Sequence, residues 1–459
     1  MAQLQLDVQQ AVAKIQKVHI KSTKTESFRL YLVTWNVGAK GPPDDLNDLL
    51  DLTSKPLPDI YAVGLQEMDL RDSDLAKNAW CSKLTDVLGA LGYVRLKVVR
   101  MQAVSLQVFV KRDRVLHYTS VESEIAKAGL GGWWGNKGGV AVRFDLNGIN
   151  VIIVNAHLAA HMNNVAERIE DCNAVLNLMK FRDPDVDNVL DHDYVFWMGD
   201  LNFRIENYSK SEVEKIIDER KLEKLLQSDQ LKKCMEEDLL FINFQEGPIT
   251  FNPTYKFDPD TDLYDTSDKQ RVPAWCDRIL WMVHNDLKDI DLSVDQTKYE
   301  SKASCKGSDH KPVVSLFTAT QKFYRSLPSY KLSDHKPVTS AFEFTTYCEP
   351  PSPMVTFSPI KKWSRRENQT VHYTVKSSIQ PDTSGWDWIG LYKAEFKHFD
   401  DYVVYVWAVN DAEKKGPKGV TVEFKTRDSD ILPGKYVLCY ISNFKKWLRG
   451  MSDEFEIVP

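Results

Sequence analysis

Along the first 345 residues, apolar runs of strand length alternate with segments of helical spacing. "FRLYLVTWNVGA" is an apolar run that ends in Asn and Gly, and "DIYAVGLQEM" is a second that stops at polar residues. Further runs at "RLKVVRMQAVSLQVFVK", "GGVAVRFDLNGINVIIVNAHL", "YVFWMGDLNF" and "DRILWMV" read as strands, with "DLNGIN" as a hairpin turn. "DLAKNAWCSKLTDVLGALGY" and residues 164–182 carry apolar positions at helical spacing. Strands dominate and helices intervene, which predicts two stacked sheets flanked by helices.

The pattern changes near residue 346. "TYCEPPSPMVTFSP" is proline-rich and reads as a linker, 346–354. After it, 355–459 has short alternating strands, many aromatics and no helical period. About seven strands in roughly 105 residues predict an immunoglobulin-like β-sandwich. Residues 1–25 read as a polar tail without a secretory signal, and 26–345 as the first domain.

The chain has 459 residues, 43% hydrophobic and 27% charged, with a net charge of −6. An overall basic footprint for nucleic acid is absent. The seven cysteines form no CxxC pair, which reads as free thiols in a reducing compartment. No run is long enough to span a bilayer, so a cytoplasmic protein is expected.

Polar residues end the strand-like runs: Asn36, then Gln66 and Glu67, Asn155 and His157, Asp200 and Asn202. A single Asn or Asp in such a place is usually a turn residue. Five clusters in succession suggest a site built from strand ends. Glu and Asn oxygens suit Mg²⁺. Asp200 can deprotonate a water, and a His backed by a carboxylate can contact phosphate oxygen.

"SDHKPV" occurs twice, because Gln296–Thr320 is followed directly by a related unit, Gln321–Thr345. One site needs one copy. Gly307 precedes the first motif and Leu332 the second, and a strand feeding the motif favours the apolar residue. The second copy, Asp334 and His335, is therefore expected to be the working one, with Asp309 and His310 as the alternative.

"TWNVG", "GLQE", "WWGNKGG", "NAHLAAH", "WMGDLNFR", "PTYKFD", "PAWCDRILW" and "SDHKPV" together resemble the inositol polyphosphate 5-phosphatases, of the Mg²⁺-dependent endonuclease–exonuclease–phosphatase superfamily. "SGWDWIGLYK…DDYVVYVWA" is similar to the SKICH domain that follows the catalytic domain in one branch of that family. The resemblance implies a four-layer α/β sandwich of the endonuclease/exonuclease/phosphatase type. It implies Mg²⁺-dependent removal of the 5-phosphate from phosphatidylinositol 4,5-bisphosphate or the 3,4,5-trisphosphate, and from soluble inositol polyphosphates.

The same resemblance assigns roles. Glu67 would hold Mg²⁺, with Asn36 on metal or phosphate oxygen. Asp200 would activate water, helped by Asn202. His157 would contact the scissile phosphate, and the motif histidine, oriented by its neighbouring aspartate, would stabilise the transition state. Lys137, Tyr255, Lys256, Lys269, Arg271 and Arg278 would bind substrate phosphates. Leu130, Trp133 and Trp134 would touch the membrane. The expected partners are a phosphoinositide at the surface of the endoplasmic reticulum or plasma membrane, and a protein bound by the SKICH domain. A nuclease or sphingomyelinase of the same superfamily fits the basic residues of "TYK" and "PAWCDR" less well, and a scaffold whose catalysis the duplication disables is the alternative from another class.

Overall fold

The protein is described from a computed structural model, in which residues 28–71, 78–128, 137–147, 149–183, 186–284, 292–321, 353–360, 363–376, 386–408, 419–425, 431–443 and 447–459 are placed. Twelve strands form two six-stranded sheets. The first contains β1 (Phe28–Asn36), β2 (Ile60–Gln66), β3 (Tyr93–Met101), β4 (Val104–Lys111), β11 (Leu292–Ser301) and β12 (Val313–Gln321), in the order β11-β12-β1-β2-β4-β3. The second contains β5 (Tyr118–Ala128), β6 (Lys137–Leu146), β7 (Ile149–His157), β8 (Tyr194–Asp200), β9 (Gln245–Glu246) and β10 (Asp277–Val283), in the order β5-β6-β7-β8-β10-β9.

Strand alternation builds the layers, since successive side chains point to opposite faces. Leu30 and Leu32 of β1 meet Phe196 and Met198 of β8 in the core between the sheets. Tyr31 and Val33 point outward and pack with Leu84 and Leu88 of helix α1 (Ala79–Ala90). Val195 and Trp197 of β8 pack with Cys172 and Val175 of helix α2 (Val165–Leu178). Both faces of each central strand are thus buried, which is why these runs are continuously apolar. Each such side chain contributes about 1.5–3 kcal/mol by leaving water. Helix α1 starts where Asn78 accepts from the N–H groups of Trp80 and Cys81. The result is the expected four-layer α/β sandwich.

Sequence periodicity left two features unseen. The single run 95–111 is a hairpin, β3–β4. The strand β5 has no clean alternation of apolar residues. The hairpin β11–β12, Leu292–Gln321, places the first SDHKPV copy in its connecting loop.

The last part of the chain holds two packed sheets. One is β13 (Val355–Phe357), β15 (Gln369–Val375) and β18 (Val420–Phe424). The other is β14 (Trp363–Ser364), β16 (Trp388–Lys393), β17 (Val404–Trp407), β19 (Gly434–Ser442), β20 (Trp447–Met451) and β21 (Phe455–Val458). Trp363, Tyr373, Leu391 and Phe424 fill the space between them. This sandwich docks on the first two sheets. Arg95 N–H donates to Lys397 O at 2.8 Å, and Arg112 Nε donates to Phe396 O at 3.0 Å. Phe396, Ile441 and Trp447 belong to the same apolar cluster as Leu96 and Val121. The six described cysteines are free.

Candidate active site

Two parallel strand pairs, β1 with β2 and β7 with β8, deliver their C-terminal residues to one edge of the sandwich. Asn36 ends β1, Glu67 follows β2, His157 ends β7 and Asp200 ends β8. His157 lies opposite Asp200 in the register, and Asp277 of β10 lies opposite Asp200 on its other side. Glycines permit this spacing. Beside Lys137, Gly138 has φ +131° and a Cβ there would lie 2.1 Å from Ala126 O. Before Asp200, Gly199 has φ +147° and a Cβ would lie 1.9 Å from Ala156 O.

Asp200 is the hub. Its Oδ2 accepts from Asn36 Nδ2 at 2.9 Å and lies 3.3 Å from His157 Nε2 and 3.9 Å from His310 Nε2. Its Oδ1 accepts from the N–H of Asn202 at 3.2 Å. Lys137 Nζ meets His157 Nε2, and Glu67 Oε1 is 3.8 Å from the same nitrogen. Glu67 and Asn202 both hold left-handed backbone, φ +52° and +58°. Such conformations in non-glycine residues gather at functional sites.

The charges follow from burial and neighbours. Burial works to raise Asp200, yet the His310 cation, the hydrogen bond with His157 and the Lys137 charge hold it well below the usual carboxylate range. Burial works to lower His310, but Asp277 and Asp200 lift it to about 9. Burial also raises Asp277, and it lowers His157 and Lys137. At neutral pH the centre therefore combines an ionised Asp200 with a protonated His310.

The histidine in place is that of the first motif copy. Trp35 Nε1 donates to His310 O at 3.0 Å, and Ser308 Oγ donates to Asn36 O at 2.7 Å. The following strand, β12, pairs with β1 from Phe28↔Ala319 to Thr34↔Val313. The place beside β1 is filled, which corrects the expectation that the second copy fills it. The reason is local. Residues 302–307 form a turn, not a strand, and a Cβ at Gly307 would meet nothing within 4 Å. The strand propensity that favoured Leu332 has no bearing on a turn. Asp334 and His335 lie outside the described residues, as do Leu130, Trp133 and Trp134.

The orienting carboxylate is also different. His310 Nδ1 contacts Asp277, whose Oδ2 accepts from Thr254 Oγ1 at 2.7 Å. Asp309 instead pairs with Lys256. Asp277 was missed because its one sequence signal was its place before a strand in "PAWCDRILW".

Of the expected phosphate ligands, Lys137, Tyr255 and Lys256 are at the centre. The Tyr255 ring lies 4.6 Å from that of His310. Asp265 ties Lys256 to the loop of Lys269 and Arg271: its N–H donates to Lys256 O at 2.9 Å, and its carboxylate accepts from Arg271 N–H at 2.8 Å. Arg278 is a correction. It is fully buried, bound to Asp229 at 2.9 Å and to Glu246, with no face left for a substrate. Its two carboxylate partners come from elsewhere in the chain, so "DR" alone gave no hint of them.

Hard oxygen donors suited to a divalent cation surround the centre. Asp200 and Asp277 bring carboxylate oxygens within 4.8 Å of each other, and the half-exposed Glu67 carboxylate lies 3.8 Å from His157 Nε2. Ala128 pairs with Lys137, whose Nζ meets His157 Nε2, and residues 129–136 between them lie outside the described residues. Among the described residues, no helix is long and apolar enough to cross a membrane.

Residues 33–316 match endonuclease/exonuclease/phosphatase family 2, and residues 355–457 match the SKICH domain. Inositol polyphosphate 5-phosphatase K of Mus musculus is 38% identical over 94% of this chain and 90% of its own length. Phosphatidylinositol 4,5-bisphosphate 5-phosphatase A of Mus musculus is also 38% identical over 94% of this chain, which spans 42% of that protein. The inositol polyphosphate 5-phosphatase domain of SPsynaptojanin, solved with inositol (1,4)-bisphosphate and calcium ion, matches 68% of this chain and 90% of its own, with 34% identity and a TM-score of 0.60. With these matches joined to the centre around Asp200, the chain belongs to the inositol polyphosphate 5-phosphatase family and carries a SKICH domain.

Proposed function

We propose that the protein hydrolyses the 5-phosphate of phosphatidylinositol 4,5-bisphosphate or the 3,4,5-trisphosphate, and of soluble inositol polyphosphates. The observation that carries this reading is the convergence of Glu67, His157, Asp200, Asp277 and His310 at one edge of the sandwich. The names of the relatives supply the substrate class.

Asp200, held ionised among cations, accepts a proton from the attacking water. Asn36 and the N–H of Asn202 hold its two oxygens in place. Water oxygen bonds to phosphorus as the bond to the inositol oxygen breaks, and that oxygen leaves as a hydroxyl with a proton taken from solvent. Protonated His310, fixed by Asp277, donates to a phosphate oxygen, and His157 and Lys137 face the same group. Glu67 and Asn36 would hold Mg²⁺, which when bound neutralises charge on the phosphate and the leaving oxygen.

Lys256 and Tyr255 read the neighbouring 4-phosphate, which competes with Asp309 for the Lys256 ammonium. The loop bearing Leu130, Trp133 and Trp134 lies against lipid, because it follows Ala128 and precedes Lys137, which pair beside His157. The protein then works in the cytoplasm at the endoplasmic reticulum or plasma membrane, with its SKICH domain engaging a protein partner. The domain limits 26–345 and 355–459 follow from the same reading.

Incubation with phosphatidylinositol 4,5-bisphosphate, with Mg²⁺ or with chelator, tests this. The expected products are inorganic phosphate and the 4-phosphate lipid, formed only with Mg²⁺. Release of the 4-phosphate, or no release at all, overturns the reading.

A further inference from the structure

Arg204, four residues beyond Asp200, has no part in the chemistry described above, yet it is buried beside it. Its Nε donates to Asn202 O at 3.0 Å, and its Nη2 donates to Asn202 Oδ1. Its guanidinium carbon sits 4.2 Å from the centroid of the Tyr255 ring. That ring in turn lies 4.6 Å from the His310 ring. A single planar cation thus joins two parts of the centre that come from different segments of the chain.

Both connections use the shape of the guanidinium. Its edge holds the carbonyl and the side-chain oxygen of Asn202 together, which leaves Asn202 Nδ2 to donate to Leu158 O at 3.1 Å. The Asn202 side-chain amide has one orientation under these bonds, and the residue so held donates its backbone N–H to Asp200 Oδ1. Its face supports Tyr255, which backs His310. A lysine keeps the charge but has neither the fork nor the flat face.

We propose that Arg204 is a positioning residue that locks Asn202 against Asp200 and Tyr255 against His310, so that the water-activating and phosphate-stabilising groups keep one mutual geometry. The inference rests on the phosphatase reading above. Small misplacements of such groups cost about 100-fold in rate while leaving binding contacts in place.

The test uses the full chain with Mg²⁺ and soluble inositol 1,4,5-trisphosphate. Arg204→Lys should lower kcat at least about 30-fold and change KM less than about threefold. Tyr255→Leu should lower kcat as well, and the double variant should fall no further than the worse single variant, because the pair acts as a unit. A kcat within about threefold of the parent in Arg204→Lys, or losses that multiply in the double variant, overturns the proposal. Should Arg204→Lys not melt cooperatively, Tyr255→Leu decides alone, and its kcat within about threefold of the parent overturns the proposal too. An inactive parent would overturn the phosphatase reading itself, an outcome distinct from losses confined to the variants.

Discussion

His310 Nδ1 lies 3.0 Å from Asp277 Oδ2, deep in the core of the site and 33 residues away in sequence. The carboxylate fixes which ring nitrogen faces Asp200 and keeps the imidazole charged. Asp277→Asn keeps size and removes the charge. Activity should fall roughly 10²–10⁴-fold with the fold retained, since correct tautomer and charge are both lost. Steady-state phosphate release and a thermal melt check this together, and a loss under about tenfold would show that Asp277 does not set the state of His310.

Removal of Gln321–Thr345, all but one residue of which lies outside the described elements, should leave activity within about twofold, because β1 keeps its partner β12. Loss of more than about tenfold in the shortened chain would mean that the second unit is needed for the site.

The fold was legible where the physics is local. Continuous apolar runs in β1, β2, β7 and β8 announced strands buried on both faces, and polar residues at their ends announced Asn36, Glu67, His157 and Asp200. What was not legible depends on pairing across long separations. The choice between motif copies turned on a turn at 302–307 that strand propensity does not describe. Asp277 became visible only when β10 was laid beside β8, and the burial of Arg278 only when Asp229 and Glu246 were seen around it. In the C-terminal sandwich the short strands β13 and β14, and β20, were too brief or irregular for a period-2 signal.

Arg112 joins the two parts of the chain, donating to Phe396 O and lying 5.8 Å from the Phe396 ring centroid. Arg112→Ala should cost about 1.5–3 kcal/mol of docking, the range for hydrogen bonds that involve a charged group. Hydrogen exchange should then quicken in β19 and β20 while β7 and β8 stay protected. Equal protection of β19 and β20 in parent and variant would show that the interface does not depend on this arginine.

His192 gives a pH dependence away from the site. It is buried, and burial with the Arg143 cation pushes it down to about 4, while its Nδ1 lies 2.9 Å from Asn188 O. Unfolded, it titrates near 6.5. The unfolded chain therefore binds the proton first, so this contribution is complete above pH 6.5 and is lost as pH falls toward 4. The loss amounts to about 3 kcal/mol at most. Urea midpoints measured from pH 7 to pH 4 should fall more steeply for the parent than for His192→Gln. Parallel curves would rule out this source of acid sensitivity.

The central claim is that one phosphatase centre exists and that the first motif copy completes it. The most direct measurement is phosphate release from phosphatidylinositol 4,5-bisphosphate by three full-length proteins with Mg²⁺: the parent, His310→Ala and His335→Ala. The arrangement of His310 between Asp277 and Asp200 predicts a loss of at least about 100-fold in His310→Ala. It predicts activity within about twofold of the parent in His335→Ala. Loss in His335→Ala with His310→Ala unaffected would contradict the account.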